Sequence, residues 1–188
     1  MSEAATGYAL GVLLAVGGAS IAVVVPQTRG PIGRLALILN SIPIIALGPL
    51  FTAVLPRWAS PVAVATLAVA FTVFVAVLAG LDAAGRSHHD LLTVLGASRW
   101  ERFRRLQAPA ALPSLADGLK LGAPGAVLGA IIGEWFGAER GIGPLLVASM
   151  QNYRIDLLWS AALLGALVSM VAYGLLALLE RAISARYR

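Results

Sequence analysis

The chain has 188 residues, of which 59% are hydrophobic and only 12% charged, and its mean hydropathy is +0.86. Ordinary soluble domains carry about a quarter charged residues, so a soluble globular domain, a disordered tail and a nucleic-acid-binding module are excluded as first readings. The net charge of +5 comes from 14 Lys and Arg against 9 Asp and Glu, and in so apolar a chain a basic excess marks cytoplasmic loops.

Five apolar runs follow one another, at residues 9–25, 35–55, 61–81, about 110–136 and 157–179. All are expected to be helices, because an open sheet cannot satisfy its backbone in lipid and period-2 alternation is missing. The first is preceded by MSEAATGY, without a basic residue, so it reads as a retained span rather than a signal peptide. The second, LALILNSIPIIALGPLFTAVL, breaks its own helix with Asn40, Ser41, Pro43, Gly48 and Pro49. Discontinuous helices with freed backbone groups mark substrate pathways in transporters, and a proline kink packed by its neighbours is the structural alternative. Between the third and fourth runs lies the sizeable hydrophilic segment, residues 82–108.

The fourth run carries Asp117 and Lys120, expected to pair at i, i+3, and the series Gly125, Gly129, Gly133 on one face. Small residues at that spacing make a packing seam, with the axis between two copies as one place for it. Glu134, at the outer end of this run, is an ionisable group at membrane depth and a candidate substrate gate. The turn-rich stretch from Gly137 to Leu146 follows, and then the fifth run, uncharged throughout.

The loops alternate in charge. Arg57, Arg140 and Arg154 fall on one side; every other arginine and Lys120, the single lysine, fall on the other. The positive-inside rule puts the basic side in the cytoplasm, with the N-terminus outside and the C-terminus inside. Trp58, Trp135 and Trp159 then sit at the outer ends of runs, as an aromatic belt requires. The fold expected is a single all-α membrane domain over residues 1–188.

Catalytic machinery is not expected. There is no cysteine, no glycine-rich loop leading to a lysine, no H-E-x-x-H and no G-x-S-x-G. His88 and His89 are neighbours, which on a helix point about 100° apart and rarely share a metal. The expectation is therefore no catalytic, cofactor or metal site within the chain.

Residues 90–106, DLLTVLGASRWERFRRL, are the most informative. Leu91, Leu92 and Leu95 form an apolar stripe before Gly96; Trp100, Phe103 and Leu106 form another after it. Gly96 suits a helix C-cap. Ser98 followed by Glu101 has the spacing of a capping box. The expectation is helix, glycine turn, helix, with exposed aromatic knobs. An amphipathic helix on anionic lipid and a docking surface for a cytoplasmic protein both account for them.

The segment Asp90-Leu91-Leu92-x-x-x-Gly96-Ala97-Ser98-Arg99-Trp100, followed by Leu106-Gln107-Ala108-Pro109, resembles the EAA loop of binding-protein-dependent ABC importer permeases. That pattern is E-A-A-x-x-x-G, nine residues, then I-x-L-P. The spacing fits, while Asp90 stands for Glu, Leu91 and Leu92 for the two Ala, and Ala108 for Leu. The stretch GLKLGAPGAVLGAIIGEWFGAERGIGPLL is also similar to this family, toward its nitrate, sulfonate, taurine and pyrimidine-precursor branch.

The resemblance implies a type I importer permease in a bacterial inner membrane. Its loop would be a coupling helix seated on a separate ATPase, with Trp100 and Phe103 as anchors, Arg99 and Arg102 orienting them, and Gly96 allowing close approach. It implies a second permease copy, two ATPase subunits holding ATP and Mg²⁺, and an extracytoplasmic binding protein. Asn40, Ser41 and Pro43 would line the pathway. The family commonly has a span before the five seen here. The substrate would be a small organic anion or a pyrimidine-type vitamin precursor. A stand-alone channel or secondary carrier, and a membrane enzyme, are the rival classes.

Overall fold

The computed structural model describes residues 1–187, without the side chains of Arg86, His89, Ser184, Arg186 and Tyr187. The expectations on His89 and on the last arginines, Arg186 and Arg188, therefore fall outside the described residues. The described residues form helices and turns only. Among the described residues four helices are long and apolar enough to cross a membrane: α1 (Ser2–Val24), α4 (Ala59–Asp82), α8 (Leu112–Glu134) and α10 (Ile155–Tyr187, with its candidate span ending at Ile183). A fifth is broken into α2 (Pro26–Ser41) and α3 (Ile44–Val54), bent by 96°.

Close glycine contacts decide the course of the chain. Gly7 faces Ala65, Gly11 faces Val69 and Gly18 faces Phe74, so α1 and α4 run parallel. The chain between them must cross back, which makes α2 and α3 one interrupted span rather than a re-entrant loop. Gly118 meets Ala76, Gly122 meets Val73, Gly129 meets Ala65 and Gly133 meets Pro61, so α8 runs antiparallel to α4. Gly165 of α10 faces Ile131, and Lys120 reaches Glu180, so α10 returns antiparallel to α8. One end of the bundle thus gathers Arg29, residues 82–111 and Arg181, and the other gathers Arg57, Arg140 and Arg154.

The core lies where α4 is sandwiched between α1 and α8. Val69, Val73, Phe74, Val77 and Leu81 pack there with Ala15, Ala19, Ala111 and Ala126. The sandwich is close because its outer partners are small. A Cβ on Gly133 would stand 2.5 Å from the Pro61 Cα, and one on Gly129 would stand 2.8 Å from the Ala65 Cα. The glycine seam is therefore a packing seam, but it is filled by α4 of the same chain and is not free for the axis between copies. α10 presents Leu163, Leu167, Met170, Leu175 and Leu178 outward.

Several boundaries differ from expectation. The first helix begins at Ser2 instead of residue 9, because Ala4 is buried with Ala65 and Ala130 and extends the packed face. Residues 26–34, which lie between the first two apolar runs, are helical; Pro26 occupies the first turn, where its missing N–H costs nothing. The last helix continues well beyond residue 179, with Glu180 held by Lys120 at 3.3 Å. The loop between the fourth and fifth runs contains a further helix, α9 (Ile142–Gln151), which the turn-rich composition of its start concealed. The Asp117–Lys120 pair forms at 2.9 Å.

Candidate functional site

At the basic end, α5 (Arg86–Val94) and α6 (Arg99–Arg102) project as a pair joined by a tight turn. Gly96 has φ +72, the left-handed conformation that favours glycine. Its N–H donates to the Thr93 carbonyl at 3.0 Å and the Ala97 N–H donates to the Leu92 carbonyl at 2.9 Å. Together these two bonds close α5 in a Schellman motif. Ser98 then caps α6. The Glu101 N–H donates to Ser98 Oγ at 3.2 Å, and the Ser98 N–H donates to Glu101 Oε2 at 2.8 Å. Hydrogen bonding from Ser98 holds the Glu101 carboxyl below its ordinary pKa.

The residues expected at this loop divide into two groups. Asp90, Leu91, Gly96, Ser98, Arg99 and Trp100 are exposed, and Val94 and Leu95 join them. Trp100 is 57% exposed and Val94 85% exposed, although both are large and apolar. Phe103 instead turns inward. It stacks on Trp100 with centroids 5.4 Å apart and packs against the core. Only one of the two aromatic knobs is thus fully presented; Phe103 is the base that supports Trp100. Arg102 is also turned to the fold, donating to Thr93 Oγ1 at 2.8 Å and bracing α6 against α5. Leu92 and Ala97 are half-buried under the turn, and Pro109 is exposed in the short helix α7 (Ala108–Ala110).

A π-turn at Phe103–Gln107 joins α6 to α7, with the Ala108 N–H reaching the Phe103 carbonyl. The wide turn stands just before Pro109, which has no N–H to continue an α ladder. The brace residue Thr93 had no signal in the sequence, since its pairing with Arg102 exists only once the glycine turn has folded the two helices together.

The membrane candidates lie apart from this loop and from each other. Asn40, Ser41 and Pro43 line an open pocket of about 300 Å³ at the break between α2 and α3, with Leu39, Leu47, Leu67 and Ala68. Ser41 Oγ donates to the Leu37 carbonyl at 2.8 Å. Glu134 is only 6% exposed and lies at the opposite end of the bundle from the loop. Its Oε2 accepts from the Gly143 N–H at 2.8 Å, at the start of α9. Gly141, at φ +139, passes so close to this carboxylate that a Cβ would collide with it. The two glycines of Gly141-Ile142-Gly143 are therefore the cradle of Glu134, a relation invisible in the sequence.

Residues 7–186 match the family described as the binding-protein-dependent transport system inner membrane component. The chain belongs to this family. Over 106 residues it is 40% identical to the formylaminopyrimidine transport permease protein ThiX of Halalkalibacterium halodurans, covering 55% of this chain and 42% of that protein. Over 176 residues it is 28% identical to a probable ABC transporter permease protein of Haemophilus influenzae, covering 91% and 70%. The riboflavin transport system permease protein RibX of Chloroflexus aurantiacus is 29% identical over 147 residues, covering 76% and 53%. The match thus spans less than half the length of the formylaminopyrimidine permease and about half that of the riboflavin permease.

Proposed function

We propose that this chain is the membrane-spanning subunit of a binding-protein-dependent ABC importer. It forms the passage for the solute and takes mechanical work from a separate ATPase, which holds ATP and Mg²⁺. A second permease copy, two ATPase subunits and an extracytoplasmic binding protein complete the assembly. The basic end faces the cytoplasm and the end bearing α9 faces outward, in keeping with the positive-inside rule. The substrate lies among small organic solutes. The names of the formylaminopyrimidine and riboflavin relatives favour a pyrimidine-type vitamin precursor over a sulfonate-like anion.

The observation that carries this reading is the patch of Leu91, Val94, Leu95 and Trp100, exposed on a doubly capped helix pair at the basic end. A cluster of large apolar side chains on a rigid support, outside the lipid-spanning helices, is a surface for a partner protein. Trp100→Glu tests it. Trp100 is exposed, so the variant should reach the membrane at the normal level. It should lose co-purification of the ATPase and uptake by about a hundredfold, as expected for an aromatic interface anchor. Normal uptake without any ATPase bound would instead identify a stand-alone channel or carrier. Normal co-purification would exclude Trp100 from the contact.

A further inference from the structure

The chain leaves the bundle and re-enters it at one point. Gly80, near the end of α4, lies against the start of α8. A Cβ on it would stand 2.7 Å from the Ser114 Cβ and 3.0 Å from the Ala111 Cα. Residues 83–110, which carry the α5–α6 pair, therefore begin and end at the same packed contact. Asp82 is the last residue of α4, and residues 83–85 alone separate it from α5. So short a link has little slack, because an extended residue spans at most about 3.6 Å. A displacement of the α5–α6 pair is thus felt at Asp82.

Asp82 is held from another side by α2. Arg29, in the first turn of α2, donates from Nη1 to Asp82 Oδ1 at 3.1 Å and from Nη2 to Asp82 Oδ2. Two parallel bonds fix the direction of approach as well as the distance, which a lysine ammonium does not do. The rest of α2 is held more loosely. It buries no residue and leans on the core through Ile32 and Ala36. Apolar contacts are non-directional and let a helix slide, whereas the paired fork does not. The two side chains are 48% and 41% exposed, and an ion pair so exposed adds little to folding stability. Its significance is where it attaches. From Arg29 the helix runs on to Ser41, about 18 Å along its axis, and ends at the 96° break before α3.

We propose that Arg29 and Asp82 are a positioning pair, which passes movement of the α5–α6 pair to α2 and so to the break in the second span. Rigid helices joined by packed contacts and ion pairs are a contiguous route for such coupling. The proposal rests on the importer reading, since it takes that movement to come from the ATPase.

The chain contains no cysteine, so Ser41→Cys at the end of α2 is a single reporter of the break. The permease would be purified together with its ATPase, reconstituted in liposomes and treated with N-ethylmaleimide, with and without ATP, Mg²⁺ and vanadate. Modification is read on the permease chain by a gel shift after counter-labelling. Trapping with vanadate is expected to change the rate at Ser41→Cys by roughly tenfold, within the usual range of coupling between sites. Added to this reporter, Arg29→Ala should abolish that change. Arg29→Lys should abolish most of it, because the charge remains but the fork is lost. The reversed pair, Arg29→Asp with Asp82→Arg, should restore it. All these variants should keep the bound ATPase and the parent's thermal midpoint, which separates transmission from a structural role.

A response to trapping that survives Arg29→Ala would overturn the proposal. So would a reversed pair that folds without restoring the response, or a Ser41→Cys parent whose rate trapping leaves unchanged. If the reversed pair does not fold, Arg29→Ala and Arg29→Lys still decide. Absence of any ATPase from the purified parent is a separate result, which would remove the importer reading itself.

Discussion

Glu134 shows how a buried charge can be structural and still hold two elements in register. Its carboxylate accepts the Gly143 N–H at the start of α9, where the helix leaves its first N–H groups without internal partners. The same carboxylate leaves no room for a side chain at Gly141, and Gly143 lies against the Glu134 Cβ and the Ile131 carbonyl. Removing the acceptor strands a buried N–H, which costs about 1–3 kcal/mol. Glu134→Ala is therefore expected to lower the thermal midpoint of the detergent-solubilised protein. Glu134→Gln keeps an acceptor oxygen and should lower it by less. Equal losses in the two variants would mean that the bond to Gly143 is not what matters. Ser98 and Glu101 make the comparable arrangement at the other end of the molecule, and there the capping box was legible because all its parts lie within four residues.

At the scale of elements, the close approach of α4 and α8 is the main structural constraint. Gly133 meets the backbone of Pro61, which cannot yield as a flexible side chain would. Gly174 of α10, by contrast, has nothing within 4 Å. Gly133→Leu should cost at least about 1–3 kcal/mol through overpacking, while Gly174→Leu should leave the thermal midpoint nearly unchanged. A harmless Gly133→Leu would refute the seam. The broken span is an element of a different kind. Pro43 cannot donate to the α2 ladder, and Ile42 is already extended at ψ 125, so the chain turns through 96° and α3 starts afresh. The proline, asparagine and serine in an apolar run announced this break. Its angle, and the pocket that the angle opens, depend on α4 and on Leu47 packing beside Val64 and Ile132.

For the whole molecule, the parallel pairing of α1 with α4 forces an odd crossing between them, so the charge-rich and charge-poor loops segregate to opposite ends. Single cysteines can report this. Glu139→Cys, exposed near α9, should be labelled by a membrane-impermeant maleimide in intact cells from which any outer membrane has been removed. Arg105→Cys, exposed beside the α5–α6 pair, should be labelled only after the membrane is opened. The reverse pattern would invert the orientation and remove the ATPase reading of the loop.

The sequence by itself determined the class, the run of spans, the break in the second span and the capped glycine turn of the loop. Each of these is written in contiguous residues: hydropathy over a membrane's thickness, proline and glycine at fixed offsets, a serine three residues before a glutamate. Only the tertiary structure decided that Phe103 and Arg102 face inward, that the glycine seam is filled by α4, that Glu134 is bound by α9, and that Asn40 lines the pocket at the break between α2 and α3. Those outcomes depend on which helices become neighbours. Side chains distant in sequence compete for the same space and the same hydrogen bonds, and no local pattern records which of them wins.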